Sequence, residues 1–282
     1  MVKRNAFAPG KIILSGEYAV VFGYAGIAVP SSIGIEAVFE EDSACENILL
    51  TWKDADEKRA ILYAEKIVAL CQKKNPELRG RLVIYANIPL GKGMGSSTAL
   101  VISITRALLS KDAREEALSI EDILNPGHSG FDFATIWENV PVLFRKDTGA
   151  KFIRLPKDIL KDALLIDTGF PKESTTELVA WMRTREPEIR DALEIIGNCT
   201  DRIVRGEPLA TVMREHNKAQ VSLGVVPSGV QALISEIERV GGSAKVIGAG
   251  SRTGGAGMVL ALGNQKQVME IASRRNLPII KL

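Results

Sequence analysis

The stretch Ile88-Pro-Leu-Gly-Lys-Gly-Met-Gly-Ser-Ser-Thr-Ala-Leu100 decides the fold, because it joins a strand-like segment to a helix-like one. Residues 81–86 before it are branched and aromatic, and residues 97–109 after it place apolar side chains at helical spacing. Its three glycines bring the backbone close to a ligand, and the N–H groups at a helix start favour an anion. The stretch therefore predicts a phosphate-binding loop, and a plain glycine-rich turn is the alternative.

Ser96 and Ser97 stand where the predicted helix begins, so either can cap it, and either hydroxyl can reach a phosphate or a phosphate-bound magnesium ion. Two other phosphate motifs do not fit this stretch. The P-loop needs a lysine directly before its Ser or Thr, whereas Lys92 precedes the second glycine. A dinucleotide fingerprint would lie nearer the N-terminus and be followed by an acidic residue closing the next strand.

Length and composition bound the class of protein. The chain has 282 residues, which suits two domains, and a formal net charge of +2, too small to indicate a nucleic-acid or membrane partner. We expect no signal peptide and no membrane span. The three cysteines are widely spaced and there are two histidines, so neither a disulfide framework nor a zinc or His-rich metal site is indicated. These features predict a cytoplasmic protein.

The remaining pattern predicts an α+β chain. Strands are expected around residues 12–14, 33–40, 47–53, 140–144, 151–155, 163–167 and 277–280, with strand, glycine turn and strand over 244–262. Helices are expected over 56–74, 112–123 and 132–138, from residue 175, and near 186–204, 207–222, 228–240 and 265–275. Residues 47–53 look like the hairpin partner of residues 33–40. A change of character at Pro156 marks the approximate domain boundary.

Three motifs in order give the chain a family resemblance. Pro89-x-Gly-x-Gly-x-Gly-Ser-Ser-x-Ala matches the phosphate loop of the GHMP small-molecule kinases. The segment from Ala8 to Gly23, which contains Lys11 and Gly16-Glu-Tyr18, resembles the first motif of the mevalonate kinases and phosphomevalonate kinases in that family. Ser129-Gly-Phe-Asp132 resembles the Ser-Gly-x-Asp that carries the catalytic aspartate. A lysine followed by Gly-Ala-Gly, within residues 245–257, resembles the third motif.

The resemblance implies a fold and a division of the chain. The fold is α+β with two domains, an N-terminal one like domain 2 of ribosomal protein S5 and a C-terminal ferredoxin-like α/β sandwich. We expect residues 1–157 to form the ATP-binding and catalytic domain and residues 158–282 the C-terminal GHMP kinase domain. A homodimer is one expectation for the assembly.

The resemblance also implies the chemistry, an ATP- and Mg²⁺-dependent transfer of a phosphoryl group to a small-molecule alcohol. Asp132 would accept or orient the hydroxyl proton, and Lys11 beside it would favour the developing alkoxide. Glu121, eleven positions before Asp132, and Ser97 would hold the magnesium ion. The nucleotide phosphates would contact the loop residues Pro89, Gly91, Lys92, Gly93, Met94, Gly95, Ser96, Ser97 and Thr98. We expect the residues that bind adenine to lie around positions 43–60.

The expected substrate residues are Glu17, Tyr18, His128, Ser129, Thr175, Gly250 and Arg252. Thr175 also fits a helix N-cap, His128 a simple loop histidine, and Arg252 a solvent-facing side chain. Tyr18 replaces the usual histidine of mevalonate kinases, and His128 replaces a proline. Arg252 stands where the family has glycine, and it could hold a phosphate or carboxylate by two parallel hydrogen bonds.

The substrate expected from these motifs is mevalonate, phosphorylated at its 5-hydroxyl for isoprenoid precursor synthesis. Phosphomevalonate is the alternative because of Tyr18 and Arg252, and homoserine or galactose kinases match the first motif less well. A hypothesis of another class is a protein of this fold that binds a nucleotide or metabolite without phosphoryl transfer. The joint presence of Lys11, Glu121 and Asp132 speaks against it.

Overall fold

The computed structural model describes residues 3–53 and 58–282, which form a mixed α/β structure. The first half contains β1 (Lys3–Ser15), a short 3-10 helix (Ala19–Phe22), β2 (Gly26–Glu41), β3 (Ile48–Lys53), α1 (Lys58–Lys74), β4 (Gly80–Ala86), α2 (Ser96–Leu108), α3 (Arg114–Leu124) and α4 (Phe131–Glu138). The second half contains β5 (Val142–Arg145), β6 (Gly149–Phe152), β7 (Leu164–Asp167), α5 (Thr175–Thr184), α6 (Glu186–Val204), α7 (Leu209–Leu223), α8 (Ser228–Arg239), β8 (Ser243–Val246), β9 (Met258–Leu262), α9 (Gln265–Arg274) and β10 (Ile279–Lys281).

The backbone packs into two compact units that are interleaved along the chain. Unit 1 comprises Met1–Lys11, Pro30–Leu90 and Gly95–Asn139, and unit 2 comprises Ile12–Val29, Gly91–Met94 and Val140–Leu282. The division near residue 157 expected from the sequence stays a prediction about domains.

Unit 1 is built on the second half of β2. Residues 35–41 of that strand pair antiparallel with β4, and β4 pairs in parallel with β3. The predicted hairpin between residues 33–40 and 47–53 is therefore wrong, since β4 lies between those two strands. Parallel neighbours need a crossover, which α1 supplies between β3 and β4. Helix α2 packs against α1, α3 and α4, and nearly all of its residues are buried.

Unit 2 contains a four-stranded antiparallel sheet in the order β10-β7-β9-β8. Helices α8 and α9 lie between its strands in sequence and pack their apolar faces on it, around Ile166, Ile234 and Val259. This βαββαβ arrangement confirms the predicted ferredoxin-like C-terminal fold. The start of β2 and the β5–β6 hairpin also belong to unit 2, with Gly26–Ala28 paired to Val142–Phe144.

The local expectations hold for most other elements. The 3-10 helix lies inside the first motif. Strand β2 begins at Gly26 and runs through Pro30. Within residues 3–53 and 58–282, no helix combines the length and the apolar character needed to cross a membrane.

Candidate active site

The glycine loop after β4 is held in a left-handed backbone conformation at three positions. The φ angles of Gly91, Gly93 and Gly95 are 67°, 89° and 73°, values that residues with a Cβ rarely adopt. Gly95 is the N-cap of α2, without a side-chain cap hydrogen bond, and Ser96 and Ser97 lie in the first turn. The predicted serine cap is therefore wrong, because a glycine turn starts the helix. The Met94 side chain is fully buried, so it can offer a ligand only its backbone.

Lys11 and Asp132 form an ion pair beside the start of α2. Lys11 lies within β1, its side chain is 4% exposed, and its Nζ lies 3.3 Å from Asp132 Oδ1. Asp132 occupies the first turn of α4, which begins at the left-handed Gly130. A Cβ added to Gly95 would lie 3.0 Å from Lys11 Cγ. Only glycine therefore lets the helix start approach this lysine, and unit 1 brings all three residues together.

Glu121 is a buried carboxylate whose two oxygens differ in their hydrogen bonds. Thr98 donates its hydroxyl to Glu121 Oε1 at 2.8 Å, and Oε2 has no hydrogen-bond partner among the residues that the structure describes. Burial raises the pKa of Glu121, and the charge of Asp132 adds to that shift, while the side chains of Thr98, Asn125 and His128 oppose it only in part. A cation at Oε2 would reverse the penalty of burying this charge. The residues thus fit a magnesium ion that keeps most of its ligands from water and phosphates.

The predicted metal ligand Ser97 has a different environment from Glu121. Ser97 is exposed at the first turn of α2, while its neighbour Thr98 holds Glu121. Across residues 3–53 and 58–282, no group of three or more His, Cys, Asp or Glu side chains is placed to hold a metal.

The loop before Asp132 is fixed by its own side chains. His128 Nε2 lies 2.8 Å from Asp122 Oδ1, and the Gly130 N–H donates to His128 Nδ1 at 3.1 Å. The Phe131 N–H donates to Ser129 Oγ at 3.2 Å. Because Nδ1 accepts, the neutral ring carries its proton on Nε2 and donates it to Asp122. Both predicted substrate residues here already use their polar atoms to shape the approach to α4.

Lys92, in the glycine loop, pairs with an aspartate that the sequence analysis did not single out. Its Nζ lies 2.5 Å from Asp167 Oδ2 and 4.4 Å from the centre of the Phe170 ring. Asp167 ends β7, and its other oxygen accepts from the Gly169 N–H at 2.9 Å. In the sequence, the position of Asp167 at the end of an apolar strand was the feature that could have indicated a functional carboxylate. Lys92 is thus a positive charge held in place within unit 2.

The third motif packs backbone to backbone on the glycine loop. A Cβ on Gly93 would lie 2.5 Å from Ile247 O, and one on Gly257 would lie 2.7 Å from Lys92 O. The Met258 N–H donates to that same Lys92 carbonyl at 3.1 Å. These close approaches explain why both segments of unit 2 are rich in glycine.

The first motif contains a strained turn at Tyr18. The residue has φ 63° and ψ −45°, and the Ala19 N–H donates across it to Glu17 O at 2.8 Å. This is a γ-turn of the rare, strained kind, which persists only where surroundings fix it. Tyr18 is 5% exposed, and its hydroxyl donates to Ala249 O at 2.5 Å. Burial raises the pKa of Tyr18 far above its usual value, so the hydroxyl stays protonated.

Glu17 lies in a buried ionic cluster with Lys245 and His216. Its Oε1 accepts from Lys245 Nζ, and its Oε2 lies 3.0 Å from His216 Nε2. Lys245 also donates to Ile13 O at 3.1 Å. Burial alone would raise the pKa of Glu17, but the Lys245 ammonium and His216 lower it to about 2. Burial and Lys245 lower the pKa of His216, which favours its neutral form.

The remaining predicted substrate residues lie near Tyr18 in unit 2 or at the start of α5. Gly250 has φ 66° and packs its backbone on Val225 O. Arg252 is exposed and lies over the Trp181 ring. Thr175 is the exposed first residue of α5, and the N-cap is instead Ser174, which forms a capping box with Glu177. Trp181 and Glu173, which contacts Ser251, were not predicted from the sequence.

Known proteins resemble this chain in sequence and in fold. Residues 62–136 match the sequence profile of the GHMP kinases N terminal domain. The mevalonate kinase of Archaeoglobus fulgidus is 29% identical over 284 aligned residues, which cover 91% of each chain.

Solved structures give the same fold. The Methanococcus jannaschii mevalonate kinase superposes with a TM-score of 0.81 at 19% identity, covering 99% of this chain and 96% of that one. The L. major mevalonate kinase, solved in complex with R-mevalonate, gives a TM-score of 0.75 at 18% identity, covering 97% and 90%.

Proposed function

We propose that this chain, as a member of the GHMP kinase family, transfers the γ-phosphoryl group of ATP to the 5-hydroxyl of mevalonate. One observation carries the catalytic part of the proposal. The helix start at Gly95, the Lys11–Asp132 ion pair and the Thr98–Glu121 pair meet in unit 1. An anion site, a paired carboxylate and a second buried carboxylate are the parts that phosphoryl transfer to an alcohol requires. The relatives supply the choice of mevalonate.

The protein groups would act on the hydroxyl and on the phosphates. Asp132, with a side chain that is 39% exposed, can accept the hydroxyl proton at Oδ1 or Oδ2 as the oxygen attacks phosphorus. Lys11, 3.3 Å from Oδ1, places a positive charge beside the developing alkoxide. The left-handed Gly95 would let the start of α2 come close to the transferring group.

Magnesium is the metal that this arrangement fits. Glu121 would hold it through Oε2, and Ser97 stays the proposed hydroxyl ligand. The ion would neutralise phosphate charge when bound. Thr98 would position Glu121 by fixing its other oxygen.

A second candidate, phosphorylation of 5-phosphomevalonate, rests on Tyr18 and Arg252. Both lie in unit 2, where Arg252 offers a guanidinium that could receive an anionic group. A binding protein without catalysis is the remaining hypothesis, and a pure binder would not need Lys11 paired with Asp132.

The deciding experiment measures ADP release with ATP and Mg²⁺ in parallel incubations of mevalonate, 5-phosphomevalonate, homoserine and galactose. We expect turnover with mevalonate well above the other three. Preferential turnover of 5-phosphomevalonate would replace the proposed substrate. Absence of turnover with all four, in protein that binds ATP, would favour the binding protein.

The wider assignments follow from the same proposal. The enzyme would act in the cytoplasm on a small molecule of isoprenoid precursor synthesis, without a nucleic-acid or membrane partner. A homodimer is the first hypothesis for its assembly, which light scattering of the purified protein would measure.

Glu121→Gln should separate metal binding from folding. The amide keeps a partner for Thr98 and removes a buried charge whose pKa is raised, so the metal-free protein should unfold at an equal or higher temperature. The Mg²⁺ concentration for half-maximal activity should rise at least about 10-fold. Thermal unfolding with and without Mg·ADP, and Mg²⁺ titration of activity, check both parts.

Glu115→Gln is the matched control, because Glu115 is an exposed residue in the first turn of the same helix. It should leave both measurements unchanged. An unaltered Mg²⁺ requirement in Glu121→Gln would remove Glu121 from the metal site.

A further inference from the structure

Two arginines of unit 2 share one tryptophan ring, and they differ in what else they contact. The guanidinium carbons of Arg185 and Arg252 lie 4.4 and 4.6 Å from the centre of the Trp181 ring. Arg185 donates to Leu223 O at 3.1 Å and to Glu188 Oε2 at 3.2 Å. The Arg252 guanidinium has no ion-pair or hydrogen-bond acceptor among residues 3–53 and 58–282. Arg185 is therefore structural, while Arg252 keeps its hydrogen-bond donors available.

Hydrogen bonds to neighbouring residues fix the backbone around Arg252. Ser251 is fully buried, its N–H donates to Val225 O at 3.0 Å, and its hydroxyl donates to Glu173 Oε2 at 2.5 Å. The Arg252 N–H donates to the same Glu173 oxygen at 3.2 Å. Although burial raises the pKa of Glu173, the bonds from Ser251 and Arg252 lower it overall, so this carboxylate is ionised and occupied. Glu173 thus accepts a hydrogen bond from the Arg252 backbone, and the Arg252 charge also lowers the pKa of Glu173, but the guanidinium donates no hydrogen bond to this carboxylate.

The arginine also lies close to the first motif. Tyr18 donates to Ala249 O, three residues before Arg252, and the charge of Glu173 contributes to the raised pKa of Tyr18. Tyr18, Ala249 and Trp181 belong to one apolar cluster. The strained turn at Tyr18 and the stacked guanidinium are therefore parts of the same local structure.

We infer that Arg252, supported by the Trp181 ring, binds the carboxylate of the hydroxy acid substrate and thereby selects for acids over neutral alcohols. This inference rests on the proposed function. A guanidinium stacked on an aromatic face keeps its edge donors in one plane, which matches the two oxygens of a carboxylate. The stack also limits the conformations that the long side chain must lose on binding. The carboxylate is the one anionic group of mevalonate, so it is the group that the Arg252 guanidinium would bind.

The test compares wild type and two Arg252 variants on two substrates. Wild type and Arg252→Ala are assayed with mevalonate and with 3-methylpentane-1,3,5-triol, which lacks the carboxylate. We expect Arg252→Ala to lower kcat/KM for mevalonate by about 10- to 100-fold, mainly through KM, and to change turnover of the triol by less than about 3-fold. Arg252→Lys should recover part of the loss, because lysine keeps the charge without the planar pair of donors. Equal losses on both substrates would overturn the inference.

Direct binding separates this inference from the proposed function. Mevalonate is titrated without ATP while tryptophan fluorescence is followed in wild type, in Arg252→Ala and in Thr253→Ala, an exposed neighbour used as control. We expect Arg252→Ala to weaken binding at least about 10-fold and Thr253→Ala to match wild type. Wild type that binds mevalonate but does not phosphorylate it would refute the kinase assignment alone. Equal affinity of wild type and Arg252→Ala, or no binding by wild type, would refute the role of Arg252.

Discussion

Asp132→Asn is expected to lower kcat by about 10²- to 10⁴-fold, the range that a positioned general base contributes. The amide keeps the size of the side chain and its contact to Lys11, but it cannot accept the hydroxyl proton. ATP affinity should change little, because the glycine loop and α2 are untouched. Steady-state ADP release gives kcat, and nucleotide titration by calorimetry gives the dissociation constant.

The same substitution at Asp147 controls for effects on charge and expression. Asp147 is exposed in the β5–β6 turn, so Asp147→Asn should behave as wild type. Near-normal kcat in Asp132→Asn would refute its role as the base. Loss of ATP binding in that variant would instead point to a structural effect on α4.

Lys245→Met is expected to destabilise the protein by roughly 3–5 kcal/mol, because it leaves the Glu17 carboxylate buried without its main counter-charge. Lys245 is fully buried, and Glu17 is 3% exposed. Glu17→Gln/Lys245→Met should lose less than the sum of the two single changes, since neither charge remains. Denaturant unfolding of the four proteins at neutral pH measures the free energies.

The pH dependence of this effect follows from the lowered pKa of Glu17. The pKa of the Glu17 carboxyl is about 2 in the folded protein, and its ordinary value is 4.5. The stabilisation is therefore fully present above about pH 4.5 and is lost as the pH falls towards 2. The stability difference between wild type and Glu17→Gln should shrink over that interval.

An exposed ion pair provides the contrast. Lys3 and Glu40 lie 2.7 Å apart, with side chains 64% and 45% exposed. Lys3→Met should leave the free energy of unfolding close to that of wild type, because water already solvates both charges. Comparable losses in Lys3→Met and Lys245→Met would contradict the importance of burial.

The sequence predicted local structure well and long-range partners poorly. Helical spacing and glycine turns located nearly every element, because they depend on residues close in the chain. The pairing of β3 failed, since the same alternation fits a hairpin strand and an edge strand next to β4. The strand, helix and strand order of β3, α1 and β4 was the overlooked sign of a parallel crossover.

The candidate site shows the same limit. Motif resemblance selected Lys11 and Asp132, which the structure places 3.3 Å apart. It did not indicate that Thr98 would hold Glu121 or that Asp167 would pair with Lys92. These partners lie 23 and 75 positions apart, and no local pattern encodes such contacts. The adenine-binding segment expected at residues 43–60 includes residues 54–57, which lie outside the described residues.

The Glu17–Lys245 pair also constrains how the protein can be made. The two residues are 228 positions apart. At about 5–20 residues per second, a ribosome needs roughly 10–50 s to deliver the lysine after the glutamate. During that interval Glu17 must stay hydrated, because burying it alone is too costly. The first motif therefore reaches its final form late in synthesis, whereas unit 1 has all of its residues once position 139 has been added.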